Sequence, residues 1–280
     1  MKVLLVPNYS RPEAVDGASR LAQWLEGEGV EVQWAHDKKL FPGKVVSCEG
    51  IDLVVSLGGD GTLLRAARIV GYREIPLMGL SYGHLGFLTC GGPHDLIETV
   101  SAALAGEMHA SHRATLDVEV EVELPDGSRE MRRSFALNDL SLTHGVRGDM
   151  IEFDVNVSGH HVDRLRGDGF VISTATGSTG YALAAGGPIV TPEFHGMVCV
   201  PVAPHSIRAR AFLTSPSDVV ELKISPERHA ERLFFADGQP LADGHKGVRA
   251  LVRRGPGDII LLDRSARSFY QSVSRVFYGE

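Results

Sequence analysis

The spacing of apolar residues changes once along this chain, and the change limits the folds it can adopt. Up to about residue 108, apolar residues form short continuous runs such as Ile51–Leu57 or recur at helical spacing. From residue 116 onward they alternate with polar residues, at Leu116, Val118, Val120, Val122 and Leu124. Continuous runs between helices are typical of buried parallel strands, whereas alternation is typical of antiparallel sheets with one wet face. The sequence therefore predicts an α/β N-terminal domain with a parallel sheet, followed by a mostly antiparallel β-sandwich C-terminal domain.

The predicted boundaries follow from the same pattern. Residues 1–108 form the α/β domain and residues 109–264 the β-rich domain, in which the alternation continues as far as Ile259 and Leu261. The last segment, residues 265–280, has the spacing of a short amphipathic helix that can return to the first domain.

Composition excludes several classes of protein. The net charge is −7 and no run of Lys and Arg is present, so we expect no nucleic-acid partner. Three widely separated cysteines fit a reducing compartment better than a disulfide framework or a zinc site. The N-terminal apolar run Lys2–Val6 ends at Pro7, which is too short for a signal peptide or a membrane span. These features predict a cytoplasmic protein that does not enter a membrane.

One glycine-rich turn predicts a phosphate site. Gly58-Gly59-Asp60-Gly61-Thr62 joins an apolar strand to a helical pattern, which places backbone N–H groups and a helix N-terminus at the end of the strand. Asp60 repels phosphate, so its carboxylate needs a metal, a sugar hydroxyl or a proton as its partner. The dinucleotide fingerprint is excluded because Leu64 stands at its last glycine, and no Walker sequence occurs. A strand-to-helix turn capped by Asp is the structural alternative.

A second turn of small residues interrupts the alternation of the β-rich domain. In the run Thr176-Gly177-Ser178-Thr179-Gly180-Tyr181 a strand leads through the turn into a short helix. Two such turns in two domains suggest a cleft that binds a ligand. The alternative is a tight corner with Ser178 or Thr179 as the N-cap. A nucleophilic Ser178 is poorly supported, because Thr176 stands at the first glycine of the G-x-S-x-G elbow.

Two further groups of polar residues have simpler alternatives. Asn138-Asp139 follows an apolar stretch and can face the hydroxyls of a ligand or form an Asx turn. His160, His161 and Asp163 resemble a metal cluster only superficially, and solvated side chains at a hairpin are the better interpretation.

Together these motifs resemble the NAD kinases. The resemblance rests on Gly58–Thr62, on the run Gly83-His84-Leu85-Gly86-Phe87-Leu88, on Asn138-Asp139, on Thr176–Tyr181 and on Gly186-Gly187-Pro188. Gly-Gly-Asp-Gly alone is shared with 6-phosphofructokinases and with diacylglycerol and sphingosine kinases, whereas the Thr-Gly-Ser-Thr turn is more specific. The match runs in order along nearly the whole chain, including Ala203–Ser206 and Asp237-Gly238-Gln239. Three positions depart from the family pattern: Ser81 replaces the usual Asn, Asp139 the usual Glu and Gly180 the usual Ala.

The resemblance implies transfer of a phosphoryl group from ATP, or from polyphosphate, to the 2′-hydroxyl of the adenosine ribose of NAD. Asp60 would be catalytic, and the donor phosphates would lie at Gly58, Gly59, Gly61 and Thr62. NAD would lie between the domains and contact Gly86, Phe87, Asn138, Asp139, Asp168, Thr179, Gly180 and Tyr181, with Asp168 reaching it across a subunit contact. A divalent metal such as Mg²⁺ would be held mainly by substrate phosphates, with no metal ligand assigned in the protein. A homodimer or homotetramer is also implied.

Two alternatives remain open from the sequence. A related kinase with the Gly-Gly-Asp-Gly turn would act on a lipid or a sugar phosphate. A non-catalytic NAD-binding sensor would keep the pocket without turnover; Asp139 in place of Glu favours it mildly, and the retained Asp60 argues against it.

Overall fold

The computed structural model describes residues 1–37, 39–41, 43–83, 86–145, 148–225, 231–242, 245–264 and 269–279. The chain divides into two compact units. The first unit comprises Met1–His112 and Asp258–Glu280, and the second comprises Arg113–Gly257. No helix in the described ranges is long and apolar enough to cross a membrane.

The first unit is built from alternating strands and helices. Its elements are, in chain order, β1 (Lys2–Pro7), α1 (Pro12–Gly27), β2 (Glu31–Trp34), β3 (Leu53–Gly58), α2 (Asp60–Val70), β4 (Leu77–Ser81), α3 (Leu96–Leu104) and β5 (His109–Arg113). All six residues of β3 are buried, as expected for a central parallel strand covered on both faces. β1 pairs in parallel with β2 and β3, and β3 pairs in parallel with β4. The carboxyl ends of β1, β3 and β4 therefore lie side by side.

The second unit consists of two six-stranded sheets. Its elements are β6 (Leu116–Glu123), β7 (Arg129–Ala136), β8 (Asp139–His144), β9 (Ile151–Val157), β10 (His160–Gly167), β11 (Gly169–Ser173), α4 (Tyr181–Ala184), β12 (Val198–Val202), β13 (Phe212–Leu213), β14 (Val219–Ile224), β15 (Arg232–Ala236), β16 (Gln239–Pro240) and β17 (Lys246–Arg254). One sheet has the order β10-β9-β14-β17-β6-β7 and the other the order β13-β12-β11-β8-β15-β16. Every pairing described within them is antiparallel.

The core of the second unit draws its side chains from both of these sheets. In β6, Leu116, Val118, Val120 and Val122 are fully buried and alternate with half-buried acidic residues, which confirms the predicted alternation. Phe153 of the first sheet meets Phe170 of the second edge to face, with 5.8 Å between ring centroids. The predicted α/β domain and antiparallel β domain are thus both present.

The return of the chain to the first unit begins earlier than predicted. β18 (Ile259–Asp263) pairs in parallel with β4 through Leu261 and Leu77, in a sheet of order β2-β1-β3-β4-β18-β5. This corrects the assignment of Ile259 and Leu261 to the β-rich domain, and β5 likewise joins the first sheet. The reason is that a five-residue apolar strand has the same pattern in either kind of sheet, so periodicity cannot assign it.

The C-terminal helix is short. α5 (Phe269–Val273) continues into a π-helical turn at Ser274–Tyr278. Residues 265–268 of the predicted returning segment lie outside the described ranges. One further detail of register differs from the sequence interpretation: a bulge between Gly247 and Arg249 shifts the phase of β17, so that Ala250 and Val252 face the core in place of Val248 and Leu251.

Candidate functional site

The glycine turn joins β3 to α2 without an intervening loop. Gly59 is extended, with φ −115° and ψ −170°, and its carbonyl accepts the first helical hydrogen bonds, from Thr62 N–H at 2.8 Å and Leu63 N–H at 3.2 Å. A Cβ on Gly58 would lie 2.2 Å from Thr62 Oγ1, so only glycine fits there. A Cβ on Gly59 or Gly61 would meet nothing within 4 Å. The absent side chains at these two positions therefore leave open space beside the backbone, as a phosphate-binding turn requires.

Asp60 is the first residue of α2, and its carboxylate is largely buried. Oδ2 accepts a hydrogen bond from Phe87 N–H at 3.3 Å, and Leu88 N–H also bonds the carboxylate. Burial raises the pKa of Asp60, and these two hydrogen bonds offset part of the rise. Oδ1 is buried and accepts no hydrogen bond from the residues that the structure describes. A buried carboxylate oxygen without a donor is costly, and a ligand hydroxyl would satisfy it.

Gly86 packs directly against this carboxylate. A Cβ at Gly86 would lie 2.2 Å from Oδ1 and 2.3 Å from Oδ2 of Asp60, so no other residue fits without moving Asp60. The next residue, Phe87, is half-buried, and its ring lies 5.5 Å from that of Phe277 in the C-terminal turn. His84 and Leu85 of the same motif lie outside the described residues.

A pocket of about 330 Å³ opens beside the glycine turn. It is lined by Asn8, Arg11, Gly59, Gly61, Thr62 and Arg65. These residues come from the segments that follow β1 and β3, which meet because the two strands are parallel neighbours. Such a crevice at the carboxyl ends of adjacent parallel strands is the usual position of a ligand in an open α/β sheet.

Two arginines supply positive charge to this pocket. Arg65 lies over the Tyr9 ring at 5.9 Å and donates from Nη2 to the Pro7 carbonyl at 3.0 Å. Burial lowers the pKa of Arg65, and its Nε has no partner among the described residues. Arg11 donates from Nη1 to the Tyr82 carbonyl. The sequence analysis assigned neither residue. The signal was present, since both lie within a few residues of the ends of adjacent predicted parallel strands.

The second unit brings together the other predicted residues. Asp139 begins β8 and is buried, and burial together with the nearby charge of Asp237 raises its pKa to about 7. Asn138 precedes it, and its Oδ1 is buried without a partner in the described part of the chain. The Asx turn considered for Asn138-Asp139 is not formed, because the Asp237 carboxylate accepts the hydrogen bonds of the backbone N–H groups here.

The small-residue turn follows β11 as predicted. Thr176–Thr179 form a 3₁₀ turn, and α4 begins at Tyr181. A Cβ on Gly177 would lie 2.3 Å from the Asn138 carbonyl oxygen, which explains the glycine. Ser178 is fully buried; its Oγ donates to the Ala175 carbonyl at 2.7 Å and accepts from Val190 N–H at 3.1 Å. Ser178 is therefore a structural residue, neither the N-cap of a helix nor a nucleophile.

Tyr181 links the remaining residues of this set. It is 39% exposed, and its pKa is raised by burial and then by the charges of Asp139 and Asp168. Thr179 is half-buried and Gly180 is exposed beside it. A Cβ on Gly180 would approach only the Gly177 carbonyl oxygen, at 3.3 Å, so an alanine there would require a slight adjustment of the backbone.

No protein-only metal site is found. Among the described residues, no three His, Cys, Asp or Glu side chains come together, and this includes His160, His161 and Asp163. The pocket beside the glycine turn is lined by arginines and small polar residues, with no carboxylate in its lining. This donor set does not fit a resident Mg²⁺, which prefers carboxylate and phosphate oxygens.

Comparison with known proteins gives a consistent result along the whole chain. Residues 35–108 match the family model described as the ATP-NAD kinase N-terminal domain, and residues 137–262 match the ATP-NAD kinase C-terminal domain. A NAD kinase of Aromatoleum aromaticum is 36% identical over 277 residues, covering 96% of this chain and 90% of the relative. A NAD kinase of Yersinia pestis is 34% identical over 278 residues, covering 96% and 93%.

Two solved structures resemble the chain. The NADH kinase of yeast, complexed with NADH, has a TM-score of 0.86 and covers 100% of this chain and 87% of its own; at 21% identity the likeness is one of fold. An NAD kinase from Archaeoglobus fulgidus in complex with ATP has a TM-score of 0.70 and 25% identity, covering 99% and 96% of the two chains.

Proposed function

Because the chain belongs to the NAD kinase family, we propose that it phosphorylates the 2′-hydroxyl of the adenosine ribose of NAD, with Asp60 acting on that hydroxyl. The observation that carries the assignment of Asp60 is its carboxylate: Oδ1 is buried without a donor at the glycine turn, and Gly86 leaves no room for any other position. A hydroxyl that donates to Oδ1 would be oriented for attack. The two hydrogen bonds to the carboxylate keep it in one position while it waits for that donor.

The reaction requires positioning more than early proton removal. In a loose transition state the bond between the γ-phosphorus and the departing oxygen of ADP is largely broken before the hydroxyl oxygen bonds to phosphorus. The proton then passes from the hydroxyl to Asp60 Oδ1, and the electron pair of the broken bond leaves with ADP. Burial raises the pKa of Asp60, which makes it a better proton acceptor than an exposed aspartate.

The donor phosphates are proposed to lie in the pocket of about 330 Å³ beside Gly59, Gly61 and Thr62. The open space at the two glycines admits phosphate oxygens to the backbone N–H groups. Arg11 and Arg65 supply the positive charge that no Walker lysine provides, and the unpartnered Nε of Arg65 can donate to a phosphate. Mg²⁺ or another divalent metal is proposed to arrive as part of the substrate, carried by the phosphates of ATP.

NAD is proposed to contact residues of both units. Gly86 and Phe87 border Asp60 in the first unit. In the second unit, Asp139 and the Asn138 amide are proposed to bind ribose hydroxyls, with Asp168, Thr179, Gly180 and Tyr181 around the rest of the nucleotide. Polyphosphate as donor, a homodimer or homotetramer with Asp168 at a subunit contact, and a cytoplasmic location stay predictions drawn from the family resemblance.

A coupled assay tests the function and the role of Asp60 together. The protein is incubated with ATP, Mg²⁺ and NAD, and NADP is detected with an NADP-specific dehydrogenase. Asp60→Asn keeps the shape and removes the charge, and we expect kcat to fall roughly 10²- to 10⁴-fold with NAD binding nearly unchanged. Asp52→Asn is the matched control, because Asp52 is exposed just before the opposite end of β3.

The outcomes separate the alternatives. NADP formation that Asp60→Asn abolishes and Asp52→Asn leaves intact supports the proposal. Equal turnover in the two variants contradicts the role of Asp60. NAD binding without NADP formation by the unaltered protein, with ATP or polyphosphate, indicates the non-catalytic sensor instead.

A further inference from the structure

Asp237 occupies a turn that does not by itself require an aspartate. It lies with Gly238 in the two-residue connection between β15 and β16, at φ 45° and 72° for the two residues. Two consecutive positive φ angles are the signature of a type I′ hairpin turn, for which Asn-Gly serves at least as well as Asp-Gly. The choice of a carboxylate therefore has another cause.

The Asp237 carboxylate binds three consecutive backbone N–H groups of a neighbouring segment. Oδ2 accepts from Leu137 N–H at 2.9 Å, and Oδ1 accepts from Asn138 N–H at 2.8 Å and Asp139 N–H at 3.2 Å. In return, Asp237 N–H donates to the Asp139 carbonyl at 3.0 Å. Hydrogen bonds to a charged acceptor are stronger than neutral ones, and three of them fix three successive peptide planes.

The other side of the same segment is held by the end of β11. Thr174 donates from Oγ1 to the Leu137 carbonyl at 2.6 Å and from its N–H to the Asn138 carbonyl at 2.8 Å. Ser173 Oγ also donates to the Asn138 carbonyl, at 3.0 Å. With its carbonyls and its N–H groups both engaged, this backbone cannot rotate, and it sets the directions of the Asn138 and Asp139 side chains.

We propose that Asp237 is a positioning residue for NAD, which holds the backbone of residues 137–139 in the one geometry from which Asn138 and Asp139 bind the nucleotide. This inference rests on the proposed function of those two residues. Asp237 acts through them and does not itself contact NAD.

A second effect of Asp237 supplies a readout that a merely structural residue would lack. Its negative charge, after burial, is the cause that raises the pKa of Asp139. Among the described residues, the titratable groups around Asp139 are Asp237 and the Tyr181 hydroxyl, with Asp168 beyond Tyr181. Its paired neighbour on β11 is the uncharged Ser173. Removing the charge of Asp237 therefore lowers the pKa of Asp139.

The test compares Asp237→Asn with Asp126→Asn in the full chain. Asn suits the type I′ turn and keeps the side-chain size, but it loses the charge and one acceptor. Asp126 is the matched control, because it lies in the exposed β6–β7 turn and its carboxylate bonds only Ser128 of that turn. For both variants, KM for NAD, KM for ATP and kcat are measured between pH 5.5 and 8.5, about one and a half units either side of the raised pKa of Asp139.

For Asp237→Asn we expect KM for NAD at pH 8 to rise about tenfold, the fold-change that corresponds to loss of one hydrogen bond to a charged group. KM for ATP and kcat stay near those of the unaltered protein, since the proposed donor residues and Asp60 belong to the other unit. The midpoint below which KM for NAD rises, near pH 7 in the unaltered protein, moves down by about one unit. In an Asp139→Asn background the same substitution no longer moves any midpoint.

If both the KM for NAD and the midpoint of Asp237→Asn match those of Asp126→Asn, the positioning role is wrong, while NADP formation by the unaltered protein leaves the proposed function standing. Failure of the unaltered protein to bind NAD removes both. Should Asp237→Asn not fold, Asp237→Glu keeps the charge and displaces the carboxylate by one methylene. It is then expected to raise KM for NAD without moving the midpoint, and an unchanged KM would overturn the proposal.

Discussion

A single methyl group at residue 86 should inactivate the protein without unfolding it. In Gly86→Ala the new Cβ would lie 2.2 Å from Oδ1, 2.3 Å from Oδ2 and 2.4 Å from Cγ of Asp60. Because ordinary van der Waals contact begins near 3.4 Å, the carboxylate must move by about 1 Å, and a displacement of that size in a reacting group lowers kcat by about 10²-fold.

The effect on stability should be small by comparison. The atoms that clash are the end of a side chain that can move, not backbone, and Gly86 is not among the glycines with positive φ. Overpacking of this kind costs about 1–3 kcal/mol, and Ala in place of Gly recovers about 0.4–1 kcal/mol by restricting the unfolded chain. We therefore expect the melting temperature to fall by only a few degrees while turnover is lost.

The assay pairs Gly86→Ala with Gly92→Ala. A Cβ on Gly92 would meet only the Ser81 carbonyl oxygen, at an ordinary 3.6 Å, so the same substitution nearby in the chain leaves Asp60 undisturbed. NADP formation is measured with saturating ATP and NAD, and melting is followed by circular dichroism. If Gly86→Ala turns over as fast as Gly92→Ala, the carboxylate position is not what limits the reaction, and the reasoning about Asp60 fails.

Two further predictions concern single charged groups. Arg65→Gln should raise KM for ATP by about tenfold or more, the value of a charge-assisted hydrogen bond, and should leave KM for NAD unchanged; Arg73→Gln, at the other end of α2, is the control, and an equal KM for ATP in the two variants would exclude Arg65 from the donor site. The pKa of Asp139 is raised from its ordinary 3.8 to about 7, so its contribution to stability is full below pH 3.8 and is lost as pH rises through 7. Asp139→Asn should therefore gain stability relative to the unaltered protein between pH 5 and pH 8, by up to about 4 kcal/mol in free energy of unfolding; parallel unfolding curves at the two pH values would show that the carboxyl is not buried as described.

The sequence carried the local features of the fold well and the long-range ones poorly. The alternation from Leu116 to Leu124 and the strand-turn-helix around Asp60 are set by neighbouring residues, and both are found in the structure. β18 was misassigned because an isolated apolar strand does not reveal which sheet it joins, and the choice depends on Leu77, far away in the chain.

The site shows the same division. The glycines of the turn at Asp60 are visible in sequence, yet the reasons for them differ: Gly58 avoids Thr62, whereas Gly59 and Gly61 leave space. Arg65 was missed because helical spacing alone does not tell which pocket an arginine faces. Asp237 lies about a hundred residues from the backbone that it binds, and no local pattern signals such a contact.

The position of β18 has a consequence for how the protein is made. In the sheet order β2-β1-β3-β4-β18-β5, the strand that separates β4 from β5 comes from residues 259–263, after the entire second unit. While the ribosome is still synthesising residues 113–257, β4 has an unpaired edge and β5 has no strand to join. An exposed strand edge invites pairing with other chains, so the nascent first unit needs protection until nearly the last residues emerge. A chain cut short before residue 259 thus loses more than a terminal strand, because it also detaches β5 from its sheet.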